Sequence, residues 1–193
     1  MLRNTIKFVA LTAALSVACL SSARADVKEL VDAGKISWAG EPELIYLQTG
    51  EVSTSAAYDE LVLKFIDTTP SANSFTLAED VKANLWILAV GGGGAGGTSK
   101  STTSGVGGGG GAGGVTNVPS VVLTGAAGGS TYAITVGAGG AKAADDTTVA
   151  VGANGENSSF DSICIAYGGG GGGAQSVGND GGCGGGASRG TAQ

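Results

Sequence analysis

Asp145, Asp146 and Glu156 are the side chains of this sequence best suited to hold a cation. Glu156 sits in the stretch Asn154-Gly155-Glu156-Asn157. Carboxylates and carbonyls on tight turns are calcium ligands, so these three are candidate calcium ligands. Their spacing fits no standard calcium loop, and solvated turns are the competing reading. Asp59-Glu60 and Glu79-Asp80 are acid pairs beside β-like segments. Paired carboxylates can hydrolyse a glycosidic bond, but turn and strand-edge charges look the same in sequence. The chain contains no histidine, which removes the usual general base at neutral pH and the commonest metal ligand. Gly92-x-Gly94-x-x-Gly97 follows an apolar run and matches the dinucleotide-binding pattern, which requires a helix immediately afterwards. The next residues, TSKSTTSGVGGGGGAGG, cannot supply that helix. Trp38, Trp86 and Tyr167 have rings that could stack on a sugar, although the apolar neighbours of Trp86 suit a core position. No catalytic residue and no cofactor emerge, and the chain reads as non-enzymatic.

The cysteines depend on the compartment. Met1–Lys7 carries two positive charges and no acid, Phe8–Leu20 is apolar, and Ala23-Arg24-Ala25 is a small-x-small cleavage pattern. This is the arrangement of a bacterial secretory signal peptide. The apolar stretch is too short to cross a bilayer comfortably, so no retained membrane span is expected. Lipidation at Cys19 is the rival reading, but Ser16-Val17-Ala18-Cys19 lacks the leucine-like residue expected three places earlier. Cleavage near Ala25 would place the product outside the cell, at the cell surface or in the periplasm. There Cys164 and Cys183 are disulfide candidates. A bridge would close the loop holding the longest glycine run and remove about 3 kcal/mol of unfolded-state entropy. Two reduced thiols are the alternative. Beyond Ala25 stand sixteen acids and seven bases. Such a chain is a poor partner for nucleic acid or an anionic membrane.

These groups must be positioned by the elements around them. Residues 1–25 are the expected signal peptide, 26–58 a leading segment and 59–193 a glycine-rich β domain. In the leading segment Val27, Leu30 and Val31 lie at helical spacing before Gly34, and Leu44–Leu47 suits a strand. Glu60–Ile66 alternates with Leu61, Leu63 and Phe65 on one face. Ser74–Leu77, Val118–Leu123, Thr131–Val136 and Ile163–Tyr167 are further β segments, and Ala83–Val90 has the composition of a fully buried strand.

Glycine then dominates. Of 38 glycines, 35 fall after Val90, in runs such as Gly91–Gly94, Gly107–Gly111, Gly168–Gly173 and Gly184–Gly186. A glycine run has no side chain with which to do chemistry, so its contribution must be backbone geometry. Gly-rich tracts are commonly solvated coil. The alternative is a set of polyglycine II helices packed side by side, with three residues per turn and polar groups pointing outward to neighbours. Gly107–Gly114 would then span roughly 25 Å. The tracts alternate with Val, Ile, Leu and Tyr segments that need a core, and there are several of comparable length. Both features favour the packed form, despite an ordering cost of about 1–2 kcal/mol per residue.

Taken in order, Ser74–Leu77, Leu85–Gly97, Gly107–Val115, Tyr132–Gly140, Asn154–Phe160 and Ala166–Gly173 resemble the glycine-rich domain of bacterial exported proteins and phage tail adhesins. The resemblance covers roughly residues 60–190. It implies an all-β fold in which β-sandwich-like sheet segments are combined with packed polyglycine II helices. In the phage adhesins, loops at the bundle tip touch the host, but those loops vary and transfer no binding residue to this chain. The expectation is an exported, non-enzymatic structural or adhesive surface protein, with a surface ligand or envelope component as partner. An extracellular binding module for glycan, calcium or ice is the alternative.

Overall fold

The computed structural model describes residues 27–47, 60–68, 73–99, 106–142 and 149–188. The described residues are mostly antiparallel β-structure and irregular segments, with one short helix, so the fold is all-β. They form two compact units, each assembled from two stretches of chain. One takes residues up to Leu88 together with Asn117–Thr135, and the other takes Ala89–Thr116 together with the residues from Val136 onward.

The first unit begins with α1 (Val27–Asp32). Gly34 ends it in the left-handed region, at φ +66°. The amides of Gly34 and Lys35 bond back to Val31 O and Leu30 O, each at 2.9 Å. This doubly bonded helix end needs a residue free of the Cβ penalty. Val27 and Leu30 are buried, and α1 packs on β1 (Ile36–Ala39) and on the strand Glu60–Lys64. That strand, β3, pairs antiparallel with β2 (Glu43–Leu47). Glu43 faces Lys64 in the register, and their side chains form an ion pair at 2.8 Å. Leu61, Leu63 and Phe65 are almost fully buried and Ile66 is exposed, as the alternation of the sequence requires, but Val62, on the opposite face, is buried as well.

β4 (Ser74–Leu77) lies between β1 and β7 (Ser130–Thr135), antiparallel to both. Phe75 and Leu77 point into the core. Phe75 also stacks on Tyr132, its register partner, with ring centroids 6.4 Å apart. β5 (Lys82–Val90) pairs with β6 (Val115–Thr124). β5 is not buried on both faces as its composition predicts. Ala83, Leu85, Ile87 and Ala89 are buried, while Asn84, Trp86, Leu88 and Val90 are only half-buried. Trp86 therefore lies on the outer face of the strand. In β6, Pro119 lacks an amide hydrogen, a loss tolerated on a strand paired on only one side.

In the second unit β8 (Ser158–Phe160) and β9 (Cys164–Ala166) form a hairpin, with Phe160, Cys164 and Ala166 buried. Asp161 holds its turn at φ +46°, a conformation that aspartate tolerates better than most residues. Both strands lead directly into the glycine segments.

Candidate functional site

The buried heart of the second unit is the run Gly168–Gly173, flanked by buried Ala174. Consecutive residues of this run bond to different neighbours, and every third residue returns to the same one. Gly169 and Gly172 donate to Gly92 O and Ala95 O, each at 2.8 Å. Gly170 and Gly173 donate to Cys183 O and Gly186 O, each at 2.9 Å. Gly168 and Gly171 donate to the side-chain oxygens of Asn157 and Asn154, each at 2.9 Å.

The carbonyls follow the same three-residue rule. Those of Gly170 and Gly173 accept from Gly111 and Gly108, those of Gly169 and Gly172 from Gly155 and Gly152, and those of Gly168 and Gly171 from Gly182 and Asn179. No N–H or C=O in the run is left unpaired. Buried backbone groups require such partners, and here all of them come from other segments.

The surrounding segments are joined in the same way. Gly91, Gly94 and Gly97 donate to Gly114, Gly111 and Gly108, while Gly92, Ala95 and Thr98 donate to Glu156, Ala153 and Ala150. Close approach dictates the residue type. A Cβ on Gly170 would collide with Asn179 O, and one on Gly171 with Gly152 O. Gly92, Gly94 and Gly97, the residues of the dinucleotide-like pattern, would collide with Ala138 O, Gly170 O and Gly173 O. Their identity is thus explained by packing. Thr98, just after them, forms a β-bridge with Ala150.

Ser158 is the polar side chain buried in this unit, at 4% exposure. Its hydroxyl donates to Val90 O at 2.6 Å and accepts from Gly137 N–H at 2.9 Å. The sequence does not single it out, because a serine opening a three-residue strand carries no distinguishing signal.

An open groove of about 330 Å³ lies beside the central run. Asn154, Asn157, Tyr167 and Asp180 line it together with Gly155, Gly168 and Gly181. Tyr167 is 61% exposed, yet its carbonyl accepts from Gly114 at 2.7 Å, so an anchored backbone carries a projecting ring. Asn154 also accepts from Asn179 Nδ2 at 2.9 Å and donates to Asp180 O at 3.2 Å.

Among the candidate calcium ligands, Asp145 and Asp146 lie outside the described residues. Glu156 is exposed, and its Oε2 accepts from Ala138 N–H at 3.2 Å. The stretch around it is not a turn. It is an extended segment bonded on two sides. Among the described residues, no group of three or more acidic, cysteine or histidine side chains is placed to hold a metal ion. Of the acid pairs, Asp59 lies outside the described residues and Glu60 opens β3, whereas Glu79 and Asp80 form a turn with Asp80 at φ +62°. Glu79 Oε2 accepts from Gly128 N–H at 3.4 Å.

The expected bridge between Cys164 and Cys183 is absent, and both thiols are free. Cys164 faces inward on β9, and its burial pushes the thiol pKa up, opposed by a hydrogen bond with the Phe160 backbone. Cys183 is exposed on a glycine segment that its own amide and carbonyl tie to Ala112 and Gly170. Among the described residues, no helix is long and apolar enough to cross a membrane.

A family model described as a glycine-rich domain matches residues 68–193. Neither the curated proteins nor the solved structures yielded a match. The matched span holds both the laterally bonded glycine segments and most of the strands that feed them, and on that match the chain belongs to the glycine-rich domain family.

Proposed function

We propose that this chain is an exported, non-enzymatic structural or adhesive surface protein whose glycine segments pack as polyglycine II helices. One observation carries the reading: the complete lateral pairing of Gly168–Gly173 with a period of three residues. A polyglycine II helix has about three residues per turn and no internal hydrogen bonds, so its polar groups must be satisfied sideways. A solvated tether would leave them to water. Packing made of main chain has no ionisable group to titrate. Such a scaffold is insensitive to pH and salt, which suits an exposed position on a cell.

Export is supported by the signal-peptide pattern ending at Ala25, and the acidic balance disfavours nucleic acid as a partner. The unidentified partner is then a surface ligand or envelope component. A second reading, an extracellular binding module, is favoured by the groove around Tyr167.

The test is to express the full chain in a bacterium with an outer membrane, then fractionate the cells and sequence the N-terminus of the product. The expected product begins at Asp26, leaves the cytoplasm, and is shaved from intact cells by added protease if it is displayed. An uncleaved chain held in the cytoplasm would overturn the reading.

A further inference from the structure

In the second unit, one groove is lined by residues that include an exposed tyrosine and polar side chains. Tyr167, Asn157, Asn154 and Asp180 are the lining residues with side chains that can bind a ligand. The Asn157 amide is fixed, because its oxygen holds the buried Gly168 N–H at 2.9 Å. Its Nδ2 has no partner among the described residues. The Asp180 carboxylate likewise has no partner among the described residues. The groove therefore offers a held donor, an acceptor and a ring, all on a backbone anchored by lateral bonds.

From this placement we propose that the Tyr167 groove is a binding site for a neutral saccharide of one or two rings. A sugar hydroxyl donates and accepts at once, so neighbouring hydroxyls can take a hydrogen bond from Asn157 and give one to Asp180. The C–H face of a pyranose is apolar and flat enough to lie on the tyrosine ring, which has an apolar body and a polar tip. An anionic ligand is disfavoured, since Asp180 is the charged residue of the lining and no lysine or arginine among the described lining residues offsets it. A wholly apolar ligand would leave the amide and carboxylate desolvated and unpaired. The volume, about 330 Å³, lies at the lower end of small-molecule sites, which run from about 300 to 1,000 Å³. The anchored walls need little ordering on binding, which conserves affinity.

The proposal rests on the extracellular reading for its biological sense, but its test is independent. Saturation-transfer NMR on the full chain would use a panel of glucose, galactose, mannose, N-acetylglucosamine and their β-linked disaccharides, with glucuronic acid as the charged control. At least one neutral sugar is expected to bind. Tyr167→Ala should weaken it roughly tenfold, Tyr167→Phe should retain it, and Asp180→Asn should weaken it. Both alanine and asparagine variants should melt like the parent, since neither side chain is buried. If Tyr167→Ala fails to fold, Asp180→Asn carries the test. Absence of binding across the neutral panel, unchanged affinity in the variants, or preference for glucuronic acid would overturn the proposal. A negative result with slow amide exchange in Gly168–Gly173 would sink the saccharide site alone and leave the scaffold standing.

Discussion

Gly109 and Gly110 are adjacent in a single run, yet their surroundings are opposite. A Cβ on Gly109 would meet nothing within 4 Å, whereas one on Gly110 would strike the carbonyl of Gly94. Val106, Gly109, Ala112 and Val115, spaced by three, are all exposed, and the residues between them include those that pack inward. Gly109→Ala is therefore expected to leave stability unchanged or raise it by about 0.4–1 kcal/mol, by restricting the unfolded chain. Gly110→Ala should cost on the order of 1–3 kcal/mol through overpacking. Thermal melts of the two variants side by side check this, and equal effects would contradict it. The sequence marks both positions with the same letter, so this difference could not be read from it. What could be read was the consequence of having no side chain: close backbone approach, as at Gly171 and Gly152. The expected cysteine bridge was an inference from compartment and loop length, and neither quantity reports which way Cys164 faces on β9.

At the scale of elements, the hairpin and the glycine segments form one continuous ladder. Ser158 pairs with Ala166 and Phe160 with Cys164. Continuing in the same antiparallel register, Gly155 N–H bonds to Gly169 O and Gly152 N–H to Gly172 O. The chain thus passes from β-pairing to three-residue pairing without a shift. Asn154 and Asn157 complete the arrangement, since their side chains take the two amides of the central run that no backbone carbonyl reaches. Asn154→Ala would leave the buried Gly171 N–H without its partner. It should destabilise by about 1–3 kcal/mol, the usual cost of an orphaned buried donor. Urea unfolding measures this, and a midpoint unchanged from the parent would count against the role. The asparagines were legible as polar residues on the way into a strand, and turn chemistry was the natural reading of Asn-Gly. Tertiary partners decided otherwise. By contrast, β4 was legible because Phe75 and Leu77 alternate with Ser74 and Thr76 toward one buried face, β3 was legible as a strand from its apolar residues although Val62 is buried opposite Leu61 and Leu63, and α1 was legible from Val27, Leu30 and Gly34. β1 buries only Ile36 and β8 is three residues long, so neither shows an alternating buried face in the sequence.

At the scale of the whole molecule, each compact unit draws on two separated stretches of chain. Composition read along the chain cannot group Asn117–Thr135 with residues before Leu88, because that grouping is made by β4–β7 pairing. The two units use different means of cohesion. The first buries side chains such as Phe65, Phe75, Leu63 and Leu85. The second holds its centre by backbone hydrogen bonds between segments, with the Asn154 and Asn157 side chains completing them and with Val136, Ala174 and the hairpin residues supplying buried side chains. Ordering so much glycine carries a large entropic cost, so partial loss of the lateral bonds should release the segments together rather than one at a time. The most direct measurement is amide hydrogen exchange by NMR on the full chain. The account predicts slow exchange at Gly169, Gly170, Gly172 and Gly173, all buried and bonded, beside fast exchange at exposed Gly109. Exchange of the central run within seconds, at the rate of Gly109, would contradict it.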